Sequence, residues 1–223
     1  MKNKIKIVGT LAVILAFCFS SFAKAANLSK RYILQSVPFT SQAPFGGWND
    51  LRQEDGCEES SALMAVSWAR SRSITKQSAL NNIIGSSNYT QKKYGEYRDI
   101  STQDTLNWVI KDYFHFQNVA RVKNITLASL INELEKGNVV IVPLNGQALH
   151  NPYYTAPGPK HHMMVVIGYD PVANVFITND PGTRRGAQYK YDANLFYNAI
   201  RDYKTGFQQS DTSVQKNVIV VWK

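Results

Sequence analysis

Cys57, His162 and Asp180 are the residues of this chain whose types could together break a carbonyl bond. Cys57 closes a polar loop and opens a helix-patterned run, Arg52-Gln-Glu-Asp-Gly-Cys57-Glu-Glu-Ser-Ser-Ala-Leu-Met-Ala-Val-Ser-Trp68-Ala-Arg70. Asp55-Gly56 is a turn signal, and Ala62, Leu63, Val66 and Trp68-Ala69 recur at spacings that predict one apolar helical face. Unpaired N–H groups in the first turn, together with the macrodipole, favour an anion at the helix start. A thiolate is such an anion, and this position lowers a cysteine pKa from about 8.5 toward neutrality or below. Glu58 and Glu59 oppose that effect because their carboxylates compete for the same helix end. The thiol therefore needs a partner base.

His161 and His162 stand at the entry of a strand-patterned run to Ile167, and Asn179-Asp180-Pro181-Gly182 stands at the exit of a second run, Val175-Phe-Ile-Thr178. With Gly168 to Asn174 as the turn, the two runs form an antiparallel hairpin that brings residues 162 and 180 to one end. A histidine beside an aspartate has its tautomer and orientation fixed, so Cys57 added to the pair predicts a nucleophile, a base and an orienter. Alternation along the strand points His161 and His162 to opposite faces, which leaves His162 as the base. Each residue also has a bland reading. Cys57 is a small buried hydrophobe in that view, the histidines are solvated side chains, and Asp180 merely starts a turn through Pro181. His115 and His150 lack an acidic neighbour and are read as structural. No ligand spacing surrounds any histidine, so neither a metal nor a cofactor is expected.

Stepping outward, Arg31 to Val37 alternates as a strand that ends at Pro38. Ser41 to Gly56 is a loop in which Phe45 and Trp48 are expected to plug against the core. Thr75 to Ile84 predicts a helix ended by Gly85, and Ser86 to Asp99 a tyrosine-rich surface loop. Ser101-Thr-Gln-Asp104 opens a further helix with a capping-box pattern, carrying Leu106, Val109, Ile110 and Tyr113 inward. The second half turns to strands: Gln117 to Val122, Asn138 to Pro143, the hairpin, Gln188 to Tyr191 and Asn217 to Trp222, with helices at Leu127 to Lys136 and after Asp192. A helical half followed by antiparallel strands predicts an α+β domain with the Cys57 helix packed on the sheet. Tyr89, Tyr94, Tyr97, Tyr153 and Tyr154 are candidates to line a groove or to pack.

The chain has 223 residues and a formal charge of +9. Lys2, Lys4 and Lys6 precede an apolar run from Ile7 to Phe22, and Ala23-Lys24-Ala25 supplies a small-x-small cleavage pattern. Residues 1–25 are thus expected to be a secretory signal and residues 26–223 one domain, with no stable membrane span. The competing reading, a lipid anchor at Cys18, meets a bulky Phe17 where such sites want a small residue. Removing four lysines and no acid lowers the charge from +9 to +5. The remaining excess is scattered, which argues against a nucleic-acid partner. Cleavage also removes Cys18 and leaves Cys57 as the one cysteine of an exported protein, which suggests a free reactive thiol.

The ordered motifs Val37-Pro38-Phe39-Thr-Ser-Gln42, Gly56-Cys57, His162-Met-Met-Val-Val-Ile-Gly168-Tyr-Asp170 and Asn179-Asp180-Pro181 resemble the bacteriocin-processing cysteine peptidase family and its stand-alone relatives. The resemblance spans residues 35 to 222 and implies a papain-like fold. It also implies Cys57 as nucleophile, His162 as base, Asp180 as orienter and Gln42 as oxyanion donor. Family members follow the cysteine with Gly and a small residue, whereas Glu58-Glu59 stand here. Gln53 lies nearer to Cys57 than Gln42 does, so two glutamines compete for the donor's place. With no transporter in these residues, a leader-peptide substrate is not carried over.

The expected activity is a secreted thiol hydrolase acting on a peptide or protein, a cell-wall peptide included. Transglutaminase-like acyl transfer, peptidoglycan amidase chemistry and a catalytically silent peptide-binding module on the same fold stand beside it. The scissile bond and the oligomeric state are not written in the sequence.

Overall fold

The computed structural model describes residues 32–209 and 214–223. The signal segment, Cys18 and Arg31 lie outside the described residues. Among the described residues, seven strands make one antiparallel sheet: β1 (Ile33–Leu34), β2 (Val119–Val122), β3 (Val139–Leu144), β4 (His162–Asp170), β5 (Val175–Asn179), β6 (Tyr189–Asp192) and β7 (Val218–Val221). Their order is β2-β7-β3-β4-β5-β6. β3 covers the first part of β4, from His162 to Val166, and β1 covers a later part, with Leu34 opposite Gly168.

Gly168 was expected in the turn, yet it sits inside β4 at a bulge. A Cβ there would lie 2.3 Å from the Ile33 carbonyl oxygen, so only glycine lets β1 approach. The hairpin turn is correspondingly shorter, running between Asp170 and Val175.

The strands are apolar on both faces because helices cover both. Val139, Ile141, Met163, Val165 and Ile219 share one core with the helices of the first half. Val140, Val142, Met164, Val166 and Val220 share the other with α5 (Leu127–Glu135) and α6 (Ala193–Ala199). Adjacent residues thus feed opposite cores, and a slip of one residue would exchange them.

The first half supplies α1 (Leu51–Glu54), α2 (Cys57–Ala69), α3 (Lys76–Tyr94) and α4 (Thr102–Asp104), the last running into a π-helical stretch, Thr105–Tyr113. The α2 helix does not keep one apolar face: every residue from Cys57 to Trp68 is buried. The sheet lies on one side, with the Ser61 hydroxyl donating to the Met163 carbonyl at 3.1 Å, and other helices lie opposite. Small residues (Ser60, Ser61, Ala62 and Ala65) allow that close approach.

The α3 helix runs through Gly85 and ends at Gly95, so the expected loop from Ser86 is helical as far as Tyr94. Gly85 reads as a stop because glycine weakens helices, but here it makes room. A Cβ at Gly85 would fall 2.5 Å from the Tyr113 hydroxyl. Gly95, at φ 85°, is the true left-handed cap. Ser101 caps α4 as expected, accepting from the Asp104 N–H, and Leu106, Val109 and Ile110 are buried. Phe45 does not plug the core: it is exposed, with the Lys76 ammonium 5.9 Å from its ring. The expected first strand shrinks to β1, and beyond it the Gln35 N–H donates to the Ile167 carbonyl at 2.8 Å before the Val37 N–H turns back to the Gln35 carbonyl.

Candidate active site

Gly56 ends a short turn after α1, and Cys57 begins α2 on the floor of a cleft of about 1020 Å³. His161, His162, Gln42 and Asp99 line the same cleft. The hairpin holds the pair anticipated from its register: His162 Nε2 and Asp180 Oδ1 are 2.8 Å apart, at the entry of β4 and just past β5. Both side chains are buried.

Asp180 is gripped by more than the imidazole. Its Oδ2 accepts the Tyr154 hydroxyl at 2.6 Å, the Tyr191 hydroxyl at 2.7 Å and the Asn151 amide at 3.3 Å. Its Oδ1 also accepts the Gly182 N–H at 3.0 Å. Burial alone would raise this carboxyl's pKa. The charge of His162 and the hydrogen bonds from His162 and the two tyrosines outweigh burial and hold it below the usual carboxylate range. Tyr154 also sets its ring edge against His162, at 5.5 Å between centroids. Burial and the Asp180 charge push both tyrosine hydroxyls up, so they remain donors.

His161 precedes the first residue of β4, so strand alternation does not turn it away from the cleft. Its Nδ1 lies 3.2 Å from Asp99 Oδ2, and its ring stacks on Tyr203 at 4.6 Å. Tyr203, Asp99, Tyr154, Tyr191 and Asn151 were not singled out for this role in the sequence. Asp99 and Tyr203 come from segments far from the hairpin, whereas Asn151, Tyr154 and Tyr191 flank it, and no local spacing marks any of them.

The acids after Cys57 are not solvated. Glu58 and Glu59 are fully buried. Burial, then the charge of Asp99, pushes Glu58 up to about 8. Burial and the Glu58 charge raise Glu59 as well. The Cys57 thiol donates to Glu58 Oε2 at 3.2 Å. Burial, then the charge of Glu58, pushes that thiol up, against the lowering expected from its helix start.

Of the two candidate glutamines, Gln42 lines the cleft, tied down by its own N–H to the Pro181 carbonyl at 2.9 Å. One amide hydrogen goes to the Glu54 carbonyl, which leaves a second on the same nitrogen. Gln53 is buried against Gly47 instead, its Nε2 standing 2.8 Å from where a Gly47 Cβ would be. Tyr153 and Tyr154 line the cleft, whereas Tyr94 stacks on Trp108 and Tyr89 packs on Tyr113. Among the described residues, no group of three or more His, Cys, Asp or Glu side chains could hold a metal ion. No helix among them is long and apolar enough to cross a membrane.

Comparison with solved structures finds a candidate C39-like peptidase from Bacillus anthracis at 14% identity and a TM-score of 0.48, covering 86% of this chain and 98% of that one. No protein of curated function matches. The model of the Peptidase_C39 like family matches residues 34–210, most of the chain and all of the cleft, and the chain belongs to that family.

Proposed function

We propose that this protein is a secreted cysteine hydrolase that cleaves a peptide or related amide through an acyl-enzyme on Cys57. The observation that carries the reading is the His162–Asp180 pair, 2.8 Å apart and buried, in one cleft with a cysteine at a helix start. With Nε2 held by Asp180, the remaining ring nitrogen, Nδ1, takes the thiol proton. Sulfur then attacks the carbonyl carbon, and the carbonyl π pair moves onto oxygen. The Cys57 backbone N–H and the second hydrogen of the Gln42 amide are the donors for that oxyanion. Collapse expels the amine, which takes the proton from the imidazolium. Water, activated by the same imidazole, then releases the acid and restores the thiol.

The signal-like segment of residues 1–25 supports export of a single domain from residue 26, and the peptidase family supports a peptide substrate. One observation favours the silent binding module: the thiol is pushed up and donates to Glu58. A thiol-directed activity probe at neutral pH decides between them. Labelling of Cys57 in the wild type and its loss in His162→Ala are expected. An unlabelled wild-type protein would hand the cleft to binding alone.

A further inference from the structure

The triad leaves unused a carboxyl that touches the nucleophile. Glu58 Oε2 lies 3.2 Å from Cys57 Sγ, and Glu58 Oε1 accepts the Tyr203 hydroxyl at 2.6 Å. The phenol has one proton and gives it to Oε1. While the thiol keeps its proton, its S–H points at Oε2; once that proton has left, a neutral Glu58 has its own Oε2 proton to turn toward the sulfur. We propose that Glu58 is a catalytic residue that stays a neutral carboxylic acid and donates a hydrogen bond from Oε2 to the Cys57 thiolate, with Tyr203 fixing which oxygen holds the proton.

Burial and the neighbouring acids favour the neutral form and outweigh the hydrogen bonds from Tyr203 and Cys57, which favour the carboxylate. Glu59 follows on α2, Asp99 faces the pair from the segment before α4, and Asp55 lies just before Cys57 and acts on Glu59. Tyr203, from the segment after α6, is pushed up mainly by burial, so it remains a donor. His161 stacks on Tyr203 and pairs with Asp99. Burial, then the charge of Asp99, pushes Glu58 up to about 8, so it is mostly protonated at neutral pH.

The proton balance closes. The thiol proton passes to His162, and the thiolate that remains takes the Glu58 O–H as a hydrogen bond. Glu58 keeps its proton through attack, collapse and hydrolysis, so no further donor or acceptor is needed. An ionised carboxylate at this position would repel the thiolate. A neutral one offsets the burial that pushes the thiol up.

The inference rests on Cys57 being the nucleophile, and its test needs no substrate. Iodoacetamide alkylation of Cys57 in the full chain is followed against pH by mapping the peptide that carries it. Glu58→Gln keeps a donor and an acceptor in the same places. It should alkylate at neutral pH within about threefold of wild type, and its profile should lose the slackening that wild type shows as Glu58 ionises. Glu58→Leu should be slower by about tenfold to a hundredfold, the worth of a hydrogen bond to a charged group. Tyr203→Phe should fall between them. A Leu variant as reactive as wild type, or a Gln variant as slow as the Leu variant, overturns the proposal. Should Glu58→Leu fail to fold, the slackening in Glu58→Gln decides alone, and its persistence overturns the proposal. His162→Ala in the same assay tests the triad separately, since only failure of that reading leaves its reactivity unchanged.

Discussion

At the scale of single residues, the site concentrates hydrogen bonds on Asp180, the proposed orienter, rather than on Cys57, the proposed nucleophile. Asp180 accepts from His162, Gly182, Tyr154, Tyr191 and Asn151. A carboxylate held by so many donors stays ionised and keeps the imidazole in one tautomer. Cys57→Ala and His162→Ala are each expected to abolish turnover with the fold intact, and Asp180→Ala to reduce it less. Tyr154→Phe removes one donor without removing the ring. Asp180 should then pull harder on the imidazole proton, moving the acidic limb of the pH–rate profile upward. A merely structural tyrosine would leave that limb in place. For the oxyanion, Gln42→Ala should cost on the order of a hundredfold to a thousandfold in turnover. Gln53→Ala should cost little turnover but some stability, because its amide is buried under Gly47. Kinetic constants for the two variants check this ranking, and the reverse order would transfer the donor role to Gln53.

At the scale of elements, glycine is where the sequence misleads, and the reason is tertiary. Gly85 costs α3 about 1 kcal/mol relative to alanine, yet a Cβ there would meet the Tyr113 hydroxyl at 2.5 Å. Gly85→Ala is therefore expected to destabilise the protein by about 1–3 kcal/mol, the usual cost of overpacking. In a Tyr113→Phe background the nearest atom left is the ring carbon at 3.5 Å, an ordinary contact. There the same substitution should stabilise by up to about 1 kcal/mol, and denaturant midpoints of the four proteins test the change of sign. The start of α2 at Cys57 and the pairing of His162 with Asp180 were legible because they depend on local pattern, namely a helix start and the two ends of one hairpin. Gly168 shows the limit of that pattern, since it reads as a turn while β1 makes it a strand residue. The Tyr203 partner of Glu58 lies outside it altogether, 145 positions away with no periodicity to link them, and nothing local marks Tyr154, Tyr191 or Asn151 as partners of Asp180. The burial of α2 on all sides depends equally on which helices happen to cover it.

At the scale of the whole molecule, the buried acids set the pH at which the fold is most stable. Glu58 is raised from 4.5 to about 8, mainly by burial and then by the Asp99 charge, and Asp55 is raised from 3.8 to about 6, mainly by burial and then by the same charge. Glu59 is raised too, by burial and the Glu58 charge. For each, the unfolded chain has lost its proton above the ordinary value while the folded chain still holds it. The folded state therefore binds more protons, and stability falls as pH rises between the two values, by up to about 1.4 kcal/mol per pH unit for each buried glutamate and by less for the partly exposed Asp55. Asp180 is lowered and runs the other way: its contribution is present above its unfolded value of 3.8 and is lost as pH falls further. The two trends place maximal stability near the unfolded pKa of the glutamates, with a decline toward pH 8. Unfolding free energies measured at mildly acidic and mildly alkaline pH should show that decline in the wild type. Glu58→Gln combined with Glu59→Gln should flatten it by removing two of the protons that the fold retains. A wild-type profile that rises from mildly acidic pH to pH 8 would mean that both carboxyls are ionised in the folded protein.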